Sequence, residues 1–265
     1  MKISKFGMSF AAIATVAMLA GCSAANPAES TSPSAAAPAA WSYSGDNGPA
    51  NWGTLDAKYT TCVDGTAQSP IDIVGAVPTD LKNIEFTLPA SEAGVFNNGH
   101  TVEAEPLTEG TEFVTIDDVK YNFAQFHFHA PSEHIIDGKQ YPLEVHFVNK
   151  TEDGKIAVVG VLVEEGAENA AWAPFIADIA SATSDPEANK VELDWAAMLP
   201  AVQTTYRYDG SLTTPGCAEG VKWNVMSTTI TMSKDQIAAF TAAYSLNARP
   251  VQPLNGREIL LDSTK

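Results

Sequence analysis

The stretch Gln125–His134, QFHFHAPSEH, decides how this chain folds. Two histidines alternate with two phenylalanines, and in an extended strand alternate side chains share one face. Gln125, His127 and His129 then point one way, while Phe126 and Phe128 point the other way into a core. A second stretch, LEVHFV at Leu143–Val148, repeats the pattern: Glu144 and His146 share a face opposed by Val145 and Phe147. If the two strands pair, directly or through a neighbour, three imidazoles converge. Between them the DGK sequence at Asp137–Lys139 supplies turn chemistry. All five histidines of the chain lie between His100 and His146.

Three neutral imidazoles suit zinc, and a three-histidine set leaves the fourth tetrahedral position to water, the form of a catalytic rather than a structural site. Copper and nickel also bind imidazole, so the residue types alone leave the metal open. Gln125 and Glu144 each lie two residues from a candidate ligand on the same strand face. Each can accept the N–H that a ligating histidine directs away from the metal. His134 follows Glu133 beyond the bend at Pro131, and its phase does not match the other three. It reads as a structural residue packed against the site.

Strand-like stretches dominate the rest: IEFTL, FVTIDDVKYNFAQFHFHA, IAVVGVLVEEG, YRYDGSL and VKWNVMSTTITM. Helical patterning is sparse. NAAWAPFIADIASA (169–182) predicts one helix, and SKDQIAAFTAAYS predicts another with Ser233 as N-cap. The expected fold is mainly β with short peripheral helices (α+β), a single domain built on a mostly antiparallel sheet.

The chain has 265 residues and a formal net charge of -17. Such a surface repels phosphate backbones, which argues against a nucleic-acid partner. The opening MKISKFGMSFAAIATVAMLAGC has a positive end at Lys2 and Lys5 and an apolar run too short to span a bilayer comfortably, the pattern of an export signal over 1–21. Its LAGC end resembles the lipobox of bacterial lipoproteins, which makes Cys22 the expected lipidation site; an ordinary secretory signal is the alternative. Residues 22–40 are small, polar and proline-bearing, a tether rather than a core, so the folded domain is expected over 41–265. An exported, periplasmic location follows, with membrane contact only through the lipid. In that oxidising compartment Cys62 and Cys217 are expected to pair, with two free buried thiols as the alternative.

The folded part resembles the alpha-class carbonic anhydrases, and their bacterial branch in particular. The resemblance is carried, in order, by WSYSGDNGPANW (Trp41–Trp52), QSPIDI (Gln68–Ile73), NNGHTVEAE (Asn97–Glu105), QFHFHAPSEH, LEVHFV, GSLTTPGC (Gly210–Cys217) and NARPVQPLNGR (Asn247–Arg257). It implies a central twisted sheet, zinc held by His127, His129 and His146, and reversible hydration of carbon dioxide to bicarbonate and a proton by a zinc-bound hydroxide. It implies that Thr213 accepts the hydroxide's hydrogen bond and donates its own to Glu133. Thr214 would line the bicarbonate side, and Val148, Val158, Leu212, Val221 and Trp223 would form the apolar wall for carbon dioxide. His100 falls where the fastest family members carry a proton shuttle, and Asn247 and Arg249 where residues support the ligands and the fold. A cysteine pair like Cys62 and Cys217 is typical of the bacterial branch.

Two other readings compete. A non-catalytic periplasmic zinc-binding protein tends to carry His-rich flexible loops, and this chain has none. An inactive carbonic anhydrase-like binding module typically lacks a zinc ligand, and all three candidates are present.

Overall fold

Eleven residues, Val119–His129, form the strand that the alternation of QFHFH predicts. This computed structural model describes residues 40–262. The expected export signal, Cys22 and all of the expected tether except Ala40 lie outside the described residues. The Val119–His129 strand sits between Val102–Pro106 and Leu143–Lys150 in a 13-stranded sheet. Leu143–Lys150 is followed in space by Ile156–Glu165, Glu219–Met226 and Thr205–Ser211. Most neighbours are antiparallel, as expected. Ile156–Glu165 departs from this, pairing in parallel with Glu219–Met226 and with Ile230–Met232, and so does Leu260–Asp262, which pairs in parallel with Val77–Thr79.

The two faces of the sheet do different work. Phe126, Phe128, Val145 and Phe147 are at most 3% exposed and join one large core with Trp172, Phe175, Trp195 and Phe240. Phe126 meets Phe175 edge-on at 4.8 Å, and Phe128 stacks on Phe240 at 3.8 Å. Each such ring contributes roughly 1.5–3 kcal/mol by leaving water. The opposite face carries the histidines beside a second cluster of Ile71, Val148, Val158, Leu162, Tyr208, Val221 and Trp223. Burying one face so heavily fixes the strand register, because a slip of one residue would turn every phenylalanine outward.

The helix at Lys234–Ala243 starts as its sequence predicts. Ser233 accepts from the Gln236 backbone N–H, and the Gln236 side chain accepts from the Ser233 N–H, a complete capping box. The segment 169–182 differs from the single helix expected. It is a 3-10 turn at Ala170–Trp172, a short α-helix at Ala173–Asp178 and a second 3-10 turn at Ile179–Ser181. Pro174 has no N–H to donate and is tolerated only in a first turn, so the α-helix begins afresh beside it.

Cys62 and Cys217 form a disulfide across a sequence separation of 155. No helix among the described residues is long and apolar enough to cross a membrane.

Candidate metal centre

The site is assembled by strand pairing. His127 and His146 are direct cross-strand partners on adjacent antiparallel strands, and His129 lies opposite Glu144 one pleat further on. A register irregularity between Phe123 and Gln125 adds a residue just before the site. One ring nitrogen from each of His127, His129 and His146 lies within 4.8 Å of the others.

The remaining ring nitrogens are all engaged. His127 Nδ1 donates to Gln125 Oε1 at 2.8 Å, His146 Nε2 to Glu144 Oε1 at 2.8 Å, and His129 Nδ1 to the Asn247 carbonyl at 2.6 Å. The inner nitrogens are thereby left as lone-pair donors facing one another. His129 Nε2 is fully buried and has no hydrogen-bond partner. A buried unpaired nitrogen is costly, and a metal ion satisfies it. Burial holds the His127 ring well below its usual pKa and the His129 ring down to about 4, and it lowers His146 as well. All three rings are therefore neutral at pH 7, the protonation state a metal ligand needs. The donor set fits zinc.

Glu144 is the hub beneath the site. It is fully buried, and its Oε2 accepts from the backbone N–H groups of Glu133 and His134 at 2.9 and 2.7 Å. Oε1 accepts from His134 Nδ1 at 2.7 Å as well as from His146. Burial pushes this carboxyl up, but the two histidines outweigh it and hold the group well below the usual range. Gly160 lies opposite His146, and a Cβ there would come within 3.2 Å of Glu144 Oε1. An isolated glycine in the β-branched run IAVVGVLV is the sequence signal of such a close approach. His134, Glu144 and His146 also lie close enough to hold a metal. Both nitrogens of His134 are committed, however, one to Glu144 and the other to the Tyr208 hydroxyl at 2.6 Å. His134 therefore supports the centre from behind.

Thr213 and Glu133 are both buried. Burial raises the Glu133 pKa to about 7 against the opposing pull of His146, the Arg249 N–H and the Thr213 hydroxyl. The Arg249 N–H donates to Oε1 at 2.7 Å, while Oε2 has no partner of full hydrogen-bond geometry. The Thr213 contact thus acts on the carboxyl without being a well-formed bond. The loop around Thr213 is held tightly. The Cys217 N–H donates to the Thr214 carbonyl at 2.9 Å, Leu212 N–H to the Ala218 carbonyl at 3.0 Å, and the disulfide ties the loop to Cys62. Arg249 reaches the Cys62 carbonyl at 3.1 Å, linking that bridge to the Glu133 side of the site.

The apolar residues fall together. Val158 pairs with Val148 on one side and with Trp223 on the other, and Val221 and Leu212 join the same cluster. Trp223 lies edge-on to His146 at 4.8 Å. His100 stands apart from the three histidines on the loop before Val102–Pro106, half-buried and stacked on Trp41 at 3.5 Å. Tyr208, Gly160 and Glu103 are partners that the sequence reading passed over; Glu103 faces His127 across the sheet.

Residues 47–263 match the family described as eukaryotic-type carbonic anhydrase. The chain is 40% identical to a carbonic anhydrase of Klebsiella pneumoniae over 221 residues, 83% of this chain and 90% of that one. It is 37% identical to a carbonic anhydrase of Pectobacterium atrosepticum over 244 residues, 92% of this chain and 96% of that one. Among solved structures, the alpha-carbonic anhydrase of Thermovibrio ammonificans, determined with the inhibitor sulfanilamide, superposes with a TM-score of 0.77 at 39% identity, covering 83% of this chain and 98% of that one.

Proposed function

The chain belongs to the eukaryotic-type, alpha-class carbonic anhydrase family, and from that premise we propose which of its residues carry out the reversible hydration of carbon dioxide to bicarbonate and a proton. His127 and His129 hold zinc through Nε2 and His146 through Nδ1. The observation that carries this assignment is the engagement of every outer ring nitrogen by Gln125, the Asn247 carbonyl or Glu144, with a buried, unpartnered His129 Nε2 inside. Zinc, when bound, acidifies water for attack on carbon dioxide, chemistry for which carbonic anhydrases are the standard case.

The chain's own residues do the aiming. With its hydrogen directed at Glu133, the Thr213 hydroxyl presents only lone pairs to the reacting water, whose hydrogen must then point at Thr213 and whose own lone pair faces the substrate. That requires an ionised Glu133. A dication among the neighbouring histidines would lower a carboxyl that burial, against the pull of its neighbours, raises to about 7. Carbon dioxide is apolar, and Val148, Val158, Leu212, Val221 and Trp223 offer it an apolar wall, with Thr214 on the bicarbonate side. His100 relays the released proton towards solvent, since an unperturbed imidazole titrates near neutral pH and partial burial lowers this one from there.

The finer setting belongs to the same reading. Residues 1–21 direct export, Cys22 carries the lipid, 22–40 tether the catalytic domain 41–265, and the enzyme works in the periplasm. Loss of the chain from the membrane fraction in Cys22→Ser tests the anchor, and an unmodified soluble wild-type form would refute it. The catalytic assignment is tested by stopped-flow carbon dioxide hydration on the purified chain before and after a zinc chelator. Hydration that the chelator removes supports it. A zinc-loaded chain with no rate above buffer would overturn it.

A further inference from the structure

The loop Asn97–Thr101 carries His100, and two asparagine side chains hold it in shape. Asn97 Oδ1 accepts from the Gly99 N–H at 2.9 Å. Asn98 Oδ1 accepts from the His100 and Thr101 N–H groups at 2.8 and 2.9 Å, and the Asn98 N–H donates to the Thr101 carbonyl at 3.2 Å. Gly99 has φ 90°, a conformation that favours glycine. The His100 carbonyl accepts from Asn247 Nδ2 at 3.1 Å, so the backbone of His100 is held at both its N–H and its carbonyl. With the backbone fixed, the imidazole lies flat on Trp41, at 12° between the ring planes.

This geometry depends on which way the Asn98 amide faces. Its two ends are similar in shape and opposite in hydrogen bonding. Only the oxygen can serve the two loop N–H groups, and the opposite end, Nδ2, donates to Glu103 Oε1. The Glu103 side chain offers an acceptor oxygen to that nitrogen, which leaves the amide oxygen facing the loop, so Glu103 favours the amide orientation the loop needs. Glu103 is itself fixed by the sheet, directly opposite His127. The loop is therefore referenced to the strand that carries two of the three histidines.

We propose that Glu103 is a positioning residue for His100: through the Asn98 amide it sets the loop that presents the imidazole against Trp41. The proposal rests on the reading of His100 as the proton relay for its kinetic consequence but not for its structural one. Removing Glu103 frees the Asn98 amide to turn, leaves two loop N–H groups without their acceptor and lets the His100 ring leave Trp41.

The test uses the full zinc-loaded chain with Glu103→Ala, Glu103→Gln and His100→Ala, and two readouts. The first is the proton NMR shift of the His100 ring, assigned by its disappearance in His100→Ala, which the stacked indole displaces. The second is kcat and kcat/KM for carbon dioxide hydration in weak buffer. Glu103→Ala is expected to abolish the ring-current shift and to lower kcat about tenfold, with zinc content and kcat/KM unchanged. Added imidazole is expected to restore kcat. Glu103→Gln keeps an acceptor oxygen and is expected to behave like the wild type in both readouts, which also guards against a misfolded alanine variant. An unchanged His100 shift in Glu103→Ala overturns the proposal. So does a parallel fall of kcat/KM, which places the defect at the metal, or a Glu103→Gln variant as impaired as Glu103→Ala. If the shift is lost while neither Glu103→Ala nor His100→Ala lowers kcat, the clamp stands and the relay reading of His100 falls.

Discussion

His127 and His146 stand directly opposite each other on antiparallel strands, and each has its outer nitrogen held by an oxygen two residues away on its own strand, Gln125 for one and Glu144 for the other. Ligand and orienting partner thus share one face of one strand, and strand pairing completes the set. His146→Ala removes a ligand and is expected to weaken zinc binding by well over the roughly 10- to 100-fold expected of Gln125→Ala, which only loosens a ring. Competition against a chromophoric chelator measures both, and equal losses in the two variants would refute this division of roles.

Thr213→Ala deletes a hydroxyl that acts on Glu133 and belongs to none of the three candidate ligands. Zinc content should be unchanged while kcat/KM falls roughly 100-fold, the scale of a lost proton-positioning group. A variant that hydrates carbon dioxide like the wild type would show that the Thr213–Glu133 contact does not aim the reaction.

Glu133 predicts a pH dependence in the metal-free chain. Its folded pKa is raised, to about 7 from 4.5, because burial disfavours its charge. A raised folded pKa means the native state holds the proton more tightly than the unfolded chain. Its contribution is fully present below pH 4.5 and is lost as pH rises through 7, a change on the order of 3 kcal/mol. The histidines run the other way: the contribution of His129, depressed to about 4, is present above 6.5 and is lost as pH falls towards 4. Urea unfolding of metal-free wild type and Glu133→Gln across pH 4.5–8 isolates the first effect. The variant should gain stability relative to wild type as pH rises, and a constant difference between the two would contradict the assignment.

Much of this was legible in the sequence because the signals are local. The alternation of Phe126 and Phe128 with His127 and His129 gives both the strand and the face that holds the site. The Ser233 cap gives the helix start. What the sequence hides is contact at long range. Tyr208 meets His134 across 74 positions, and no spacing announces it. The strand Ser91–Asn97 is weakly marked because Gly94 interrupts its apolar run; a Cβ there would lie 2.5 Å from the Pro186 carbonyl oxygen. The segment 169–182 carries a helical apolar pattern, and the pattern does not report that Pro174 divides it.

The disulfide links the Thr213 loop to Cys62, which Arg249 also holds. Closing so long a loop contributes up to roughly 4–5 kcal/mol in the chain-entropy model. Cys62→Ser with Cys217→Ser should therefore lower the urea midpoint and, by loosening the loop, reduce kcat/KM more than zinc content. Mass spectrometry of the non-reduced chain is expected to find no alkylatable thiol at either position, and two such thiols would refute the bridge in solution.

The central claim is that one zinc ion, held by His127, His129 and His146, is what the hydration of carbon dioxide requires. Titrating zinc into the metal-depleted chain while following carbon dioxide hydration by stopped flow measures this directly. Activity should rise linearly and stop at one zinc per chain. Full activity in the metal-depleted chain, or none at saturating zinc, would contradict the account.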